Sequence, residues 1–228
     1  MKNVVIIAKI VLVTGFLFVL SSCAPEKQTE QPVKKKMVIR VGLDYTGSYS
    51  LFKTGVDDLL SVVENLVPGT KICLRELSND SYNTSNLIEV LTLPEINESS
   101  ANPFSRKGKI KAKLENDQIN AVKSELSFII SKLRSKKYNR TDIDGFLLNC
   151  IENLKKDEET VILIVSDLEQ NMNKYSKYLK PKTLQGVKVF VLAFQNKDPK
   201  TRKTWSEKFE YLGADYSFLE PRDKLVIY

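Results

Sequence analysis

Apolar positions change period along this chain, and the changes mark its elements. Residues 37–43 are a short, mostly apolar run that predicts a buried strand. Val56, Leu59, Leu60, Val63 and Val67 then recur at helical spacing, and Pro68-Gly69 predicts the end of that helix. Residues 71–77 alternate imperfectly as a second strand, and a third is expected within 86–93. Residues 94–113 hold Pro, Asn, Ser and Lys and are expected to form a long loop. A second helical stripe follows: Ile119, Val122, Leu126, Ile129, Ile130 and Leu133. A third helix is expected to open at Thr141-Asp142 and to carry Ile143, Leu147, Cys150, Ile151 and Leu154. Residues 161–165 are apolar on both faces, as central parallel strands are. Residues 187–194 predict another strand, and Trp205, Phe209 and Leu212 a helix before a last strand near 216–219.

Strands that alternate with helices fold into an α/β domain with right-handed crossovers. The expectation is a three-layer, doubly wound, mostly parallel sheet flanked by helices. Residues 37–228 are enough for one such domain with a sizeable core.

The residues before the first strand read differently. Lys2 and Lys9 flank an apolar core at 10–20 that is too short to span a bilayer comfortably. Leu20-Ser21-Ser22-Cys23 then looks like the lipobox of bacterial lipoproteins. That resemblance implies a signal peptide over 1–22 and a Cys23 that carries lipid. A diacylglycerol plus an N-acyl chain gives more than one anchor, enough for stable attachment to a membrane. Residues 23–36 hold two prolines, mixed charge and little apolar surface, which predicts a tether. The expected location is the bacterial cell envelope, facing the periplasm or the outside.

Composition narrows the chemistry. The formal charge is +7, and loss of Lys2 and Lys9 with the leader leaves +5. Outside the cytoplasm this balance favours anionic membranes or envelope polymers over nucleic acid. Two basic clusters stand out, at 106–113 and 132–140, and a solvated loop and a solvated helix end account for them most simply. The chain has no histidine, which excludes Ser-His-Asp and Cys-His catalysis and His-ligated zinc. No Gly-rich phosphate loop is present. Cys73 and Cys150 remain once Cys23 is lipidated. An oxidising compartment allows them to pair, but a strand position and an apolar helix position read as two buried thiols.

The candidate chemistry lies where the first strand ends. Asp44-Tyr45-Thr46-Gly47-Ser48 puts a carboxylate and two hydroxyls, each two residues apart, on a strand-to-helix turn. Ligand sites of α/β sheets lie beyond the carboxyl ends of strands, and oxygen donors suit a hard cation. Thr141 at a helix start and Asp167 after the strand at 161–165 would reach the same edge. Ordinary turn and cap chemistry also uses these residue types, with Thr141 as an N-cap.

With these residues the chain resembles the von Willebrand factor A domain family, across about 37–220. The family signature is Asp-x-Ser-x-Ser after strand one, a Thr before a helix and an Asp after strand four. Here Asp44, Thr46 and Ser48, then Thr141, then Asp167 match it. Thr46 replaces the first serine, and Leu168 stands where a glycine often follows the last aspartate. The resemblance implies a Rossmann-like fold and a metal-ion-dependent adhesion site for Mg2+ or Mn2+. It implies a cation with a position left for a Glu or Asp carboxylate of an envelope or surface protein, at a rim formed by 46–54, 94–113 and 168–173. Such a site recognises and does not catalyse. Two other readings stay open: a metal-independent envelope scaffold, and a metal-dependent phosphotransfer enzyme. The haloacid-dehalogenase pattern wants an Asp where Thr46 stands.

Overall fold

The computed structural model describes residues 35–46, 49–96, 105–134, 138–195, 199–225 and 227. The chain divides into two units, Met1–Lys34 and Lys35–Tyr228, and the described residues belong to the second. The expected leader, Cys23, most of the tether, and Ser48 of the expected site lie outside the described residues. Among the described residues no helix is long and apolar enough to cross a membrane.

The described residues form β1 (Lys36–Asp44), α1 (Phe52–Glu64), β2 (Lys71–Leu77), β3 (Leu87–Thr92), α2 (Arg106–Lys132), α3 (Ile143–Glu152), β4 (Glu158–Val165), β5 (Lys188–Leu192), α4 (Pro199–Leu212) and β6 (Asp215–Phe218). The sheet has six strands in the order β3-β2-β1-β4-β5-β6. All neighbours pair in parallel except β3, which runs antiparallel to β2. This is the expected α/β architecture of three layers around a mostly parallel sheet.

Side-chain alternation assigns the layers. Ile39, Val41 and Leu43 of β1, with Val161, Leu163 and Val165 of β4, pack with α1 and α2 through Leu59, Val63, Leu126 and Ile130. Ile162 and Ile164 point the other way and pack with α3 and α4 through Phe146, Leu147, Trp205 and Phe209. On that face β1 needs a glycine. A Cβ at Gly42 would stand 2.9 Å from both Leu77 Cδ2 and Phe146 Cε1.

The stretch at 94–113 departs from its expected form. Its last eight residues are the start of α2, and Ser105 caps that helix by accepting from Gly108 N at 3.0 Å. Lysine and arginine are good helix formers, so a charge run does not by itself make a loop. The start of the stretch sits away from the site. Because β3 is antiparallel, its end returns to the edge where β1 begins, and Glu95 pairs with Lys36 at 2.9 Å. The described start of the expected rim segment 94–113 is therefore not at the rim. The first helix is also shorter than expected: α1 ends at Glu64, and Val67 is 37% exposed beyond it.

Cys73 and Cys150 are buried and free. Burial pushes the Cys150 thiol up to about 12, which keeps it protonated and inert.

Candidate metal site

Asp44 is the last residue of β1 and is fully buried. Its carboxylate gathers the site. Thr46 donates to Oδ1 twice, from its backbone N at 2.9 Å and its hydroxyl at 2.7 Å. The Thr141 hydroxyl reaches the same Oδ1 at 3.4 Å. The Ser166 hydroxyl donates to Oδ2 at 2.6 Å. Three chain segments therefore converge on one carboxylate.

Each donor is positioned by its own local structure. Thr46 forms a bridge with Tyr138, which brings the segment before α3 alongside the Asp44 turn. Thr141 is held through its backbone, where its N donates to Asn171 Oδ1 at 2.9 Å. Thr141 is not the cap of α3. Asp142 takes that role by accepting from Gly145 N at 2.9 Å, and its own N donates to Ser78 O at 2.9 Å. The Thr141 hydroxyl is left to face the site.

Ser166 follows the last residue of β4, and its hydroxyl accepts from Leu168 N at 2.9 Å while it donates to Asp44. Leu168 has φ 61, a left-handed backbone that costs a non-glycine residue about 1–2 kcal/mol. Two features hold it there. Its side chain is buried, and its carbonyl accepts from Trp205 Nε1 at 2.9 Å. A leucine thus takes the conformation that a glycine adopts more readily, and burial of its side chain offsets the strain.

Asp167 lies at the same edge, half-buried, with Glu169 N donating to its Oδ1 at 3.1 Å. Burial raises its pKa to about 6, and the nearby Asp44 charge pushes the same way. Tyr49 lies close enough to both carboxylates to feel their charge. Its buried hydroxyl lies 3.3 Å from Ala193 O and 3.4 Å from Leu192 O, and it titrates higher than a free tyrosine through burial and then through Asp167 and Asp44.

Asp44, Thr46 and Thr141 are joined by hydrogen bonds, and Asp167 stands beside them. Ser166 and Asn171 take part as well. Ser166 was within reach of sequence reasoning, since it sits between a central strand and an expected ligand. Asn171 carries no such signal.

The donor set fits a hard cation. A hydroxyl that gives its one proton to Asp44 keeps lone pairs for a metal, as Thr46 and Thr141 do. Asp44 and Asp167 add carboxylate charge, and all of these atoms are oxygens. Among the described residues no group of three or more His, Cys, Asp or Glu could hold a metal. Any cation site here depends on hydroxyls.

No protein-family model and no curated protein matches the chain. Solved structures do. The chain is similar to proximal thread matrix protein 1 from the mussel byssus, solved with a zinc-occupied MIDAS motif, at 12% identity and TM-score 0.46, over 82% of this chain and 42% of that one. It is similar to an aerotolerance-related membrane protein from Bacteroides fragilis at 11% identity and TM-score 0.44, over 82% and 92%. It is similar to a von Willebrand factor type A protein from Catenulispora acidiphila at 9% identity and TM-score 0.45, over 83% and 39%. The chain spans less than half of the mussel and Catenulispora proteins. One of these three, the Catenulispora protein, carries the name of the family that the sequence resembles. Strand order and register, rather than these likenesses, define the fold.

Proposed function

We propose that this chain is a lipid-anchored envelope protein whose domain captures a protein partner through a divalent cation. Asp44, Thr46, Thr141 and Asp167 would hold the ion, with Ser48 from the same turn, and Mg2+ or Mn2+ suits oxygen donors of this kind. When bound, the ion supplies a Lewis-acidic position for a Glu or Asp carboxylate of the partner. The observation that carries this reading is the Asp44 carboxylate itself. It is fully buried, yet neutral hydroxyls and one amide are its hydrogen-bond donors. A buried charge met only by neutral donors favours a cation nearby.

The chain's own residues do the rest. Ser166 and the Thr46 amide fix the carboxylate, and Asn171 fixes the backbone of Thr141. No histidine is present as a general base, and the work left to the site is recognition. One observation favours a metal-independent scaffold instead: Asp44 has enough internal donors to stay ordered without an ion.

Capture from envelope extract tests the proposal. Partner binding should be lost on chelation and restored by Mg2+. Thr141→Ala should weaken capture about as much as chelation, and the two together should add little, since both remove one bridge. A partner whose affinity ignores both treatments would leave the scaffold reading.

A further inference from the structure

The basic run at 106–113 is not absorbed by the site. It forms the first turns of α2, where Arg106, Lys107, Lys109, Lys111 and Lys113 stand together with no acidic residue before Glu115. Cations at a helix N-terminus oppose the macrodipole. Lys111 pairs with Glu115 at 3.7 Å. Ile110 and Leu114 stand among these cations, 52% and 58% exposed. At 3.6 residues per turn, Arg106, Lys107, Ile110, Lys113 and Leu114 fall within about 60° of one line along the helix. They make a single face, cationic with an apolar centre. Asp117 and Glu125 interrupt it further along.

The fold sets where this face lies. α1 connects the parallel β1 and β2 and so runs against them. α2 ends shortly before Tyr138, which bridges Thr46 just beyond β1, and therefore runs antiparallel to α1. Residues of α2 from Asn120 to Ser131 share a groove with Leu60, Val63 and Glu64, and Lys123 Nζ donates to Glu64 O at 2.8 Å. Residues before Asn120 therefore run on past the end of α1 for about 20 Å of helix. Glu64 precedes β2, so this end of α1 is the edge where β1 also begins, opposite Asp44. Lys36 opens β1 thirteen residues after Cys23, a span that cannot exceed about 45 Å.

We propose that the first three turns of α2 form a second membrane contact, a cationic face with Ile110 and Leu114 at its centre that seats on an anionic lipid surface. Polybasic segments near a membrane gain from anionic headgroups, and exposed aliphatic side chains add apolar burial at the interface. The position of the contact rests on the lipid-anchor reading; its chemistry does not.

The test uses the full chain made in a bacterium that processes lipoproteins, reconstituted in vesicles. One set contains phosphatidylglycerol, and the other is phosphatidylcholine alone. Amine-reactive labelling read by mass spectrometry should fall about threefold or more at Lys107 and Lys113 on the anionic vesicles only, and recover in high salt. Lys174 and Lys177, outside α2, should label equally on both. The paired variant Ile110→Asp/Leu114→Asp should abolish the protection. Equal labelling of Lys107 and Lys113 on both vesicles would overturn the proposal. So would protection by envelope protein extract and not by anionic vesicles, which would mark a protein-binding face. Failure of the anchor reads out separately: wild type would not float with either vesicle, or Cys23→Ser would float as well as wild type.

Discussion

Two aspartates at the site edge are equally buried and differently matched. Asp144, in the first turn of α3, accepts from Lys208 Nζ at 2.7 Å, from Gln170 Nε2 at 2.8 Å and from the Ser176 hydroxyl. Asp44 is met by hydroxyls and one backbone amide, with no cation among its hydrogen-bond partners in the described residues. In the first, a fixed lysine cancels the charge and the group serves as a fastener for the Leu168–Asn171 loop and α4. In the second, hydrogen bonds orient the charge without neutralising it. Burial alone does not separate a structural carboxylate from a ligand. On the proposed function, the sign of the partners does.

Three substitutions can break or sharpen that contrast. Asp144→Ala leaves Lys208 without its partner, and since that side chain is 24% exposed, water relieves part of the loss. Unfolding in urea should show about 2–3 kcal/mol of destabilisation, below the range for a fully buried pair. Asp44→Asn keeps the shape and removes the charge. It should cost about 1 kcal/mol of stability, while calorimetry shows Mg2+ or Mn2+ affinity falling by about tenfold or more, equivalent to about 1.4 kcal/mol. Equal cation affinity in Asp44→Asn and wild type would erase the distinction. Trp205→Phe removes the indole donor to the Leu168 carbonyl and keeps most of the packing. A loss of about 1 kcal/mol in stability is expected, with a smaller fall in cation affinity than Asp44→Asn gives. An unchanged unfolding midpoint would show that burial alone holds Leu168 left-handed.

Much of this was legible from residue order. Residues 161–165 are apolar on both faces and form the centre of β4. The helical stripes at Val56–Val63 and Ile119–Ile130 face the core as their period requires. Asp44 and Thr141 could be placed at one edge because parallel strands all end there. Two kinds of information were missing. Strand direction at a sheet edge depends on how the connection returns, so the antiparallel β3 and the displacement of the start of 94–113 from the rim were not readable. A run of lysines is helix or loop according to its cap and its neighbours, and the Ser105 cap decided it. The partners Asn171, Gln170 and Lys208 are ordinary surface residue types, and only the fold brings them to the site edge.

β1 has a mechanical consequence. It starts at Lys36 and ends at Asp44, so an anchor before the one and a partner held at the other would pull on opposite ends of a single strand. That strand is flanked on both sides, by β2 from Val38 to Asp44 and by β4 from Lys36 to Leu43, both in parallel. Tension along its axis loads the two ladders in shear, so their bonds share the force instead of opening one at a time. On the proposed function, an anchor and a grip at the two ends of this strand would direct the load along the axis that both ladders resist together.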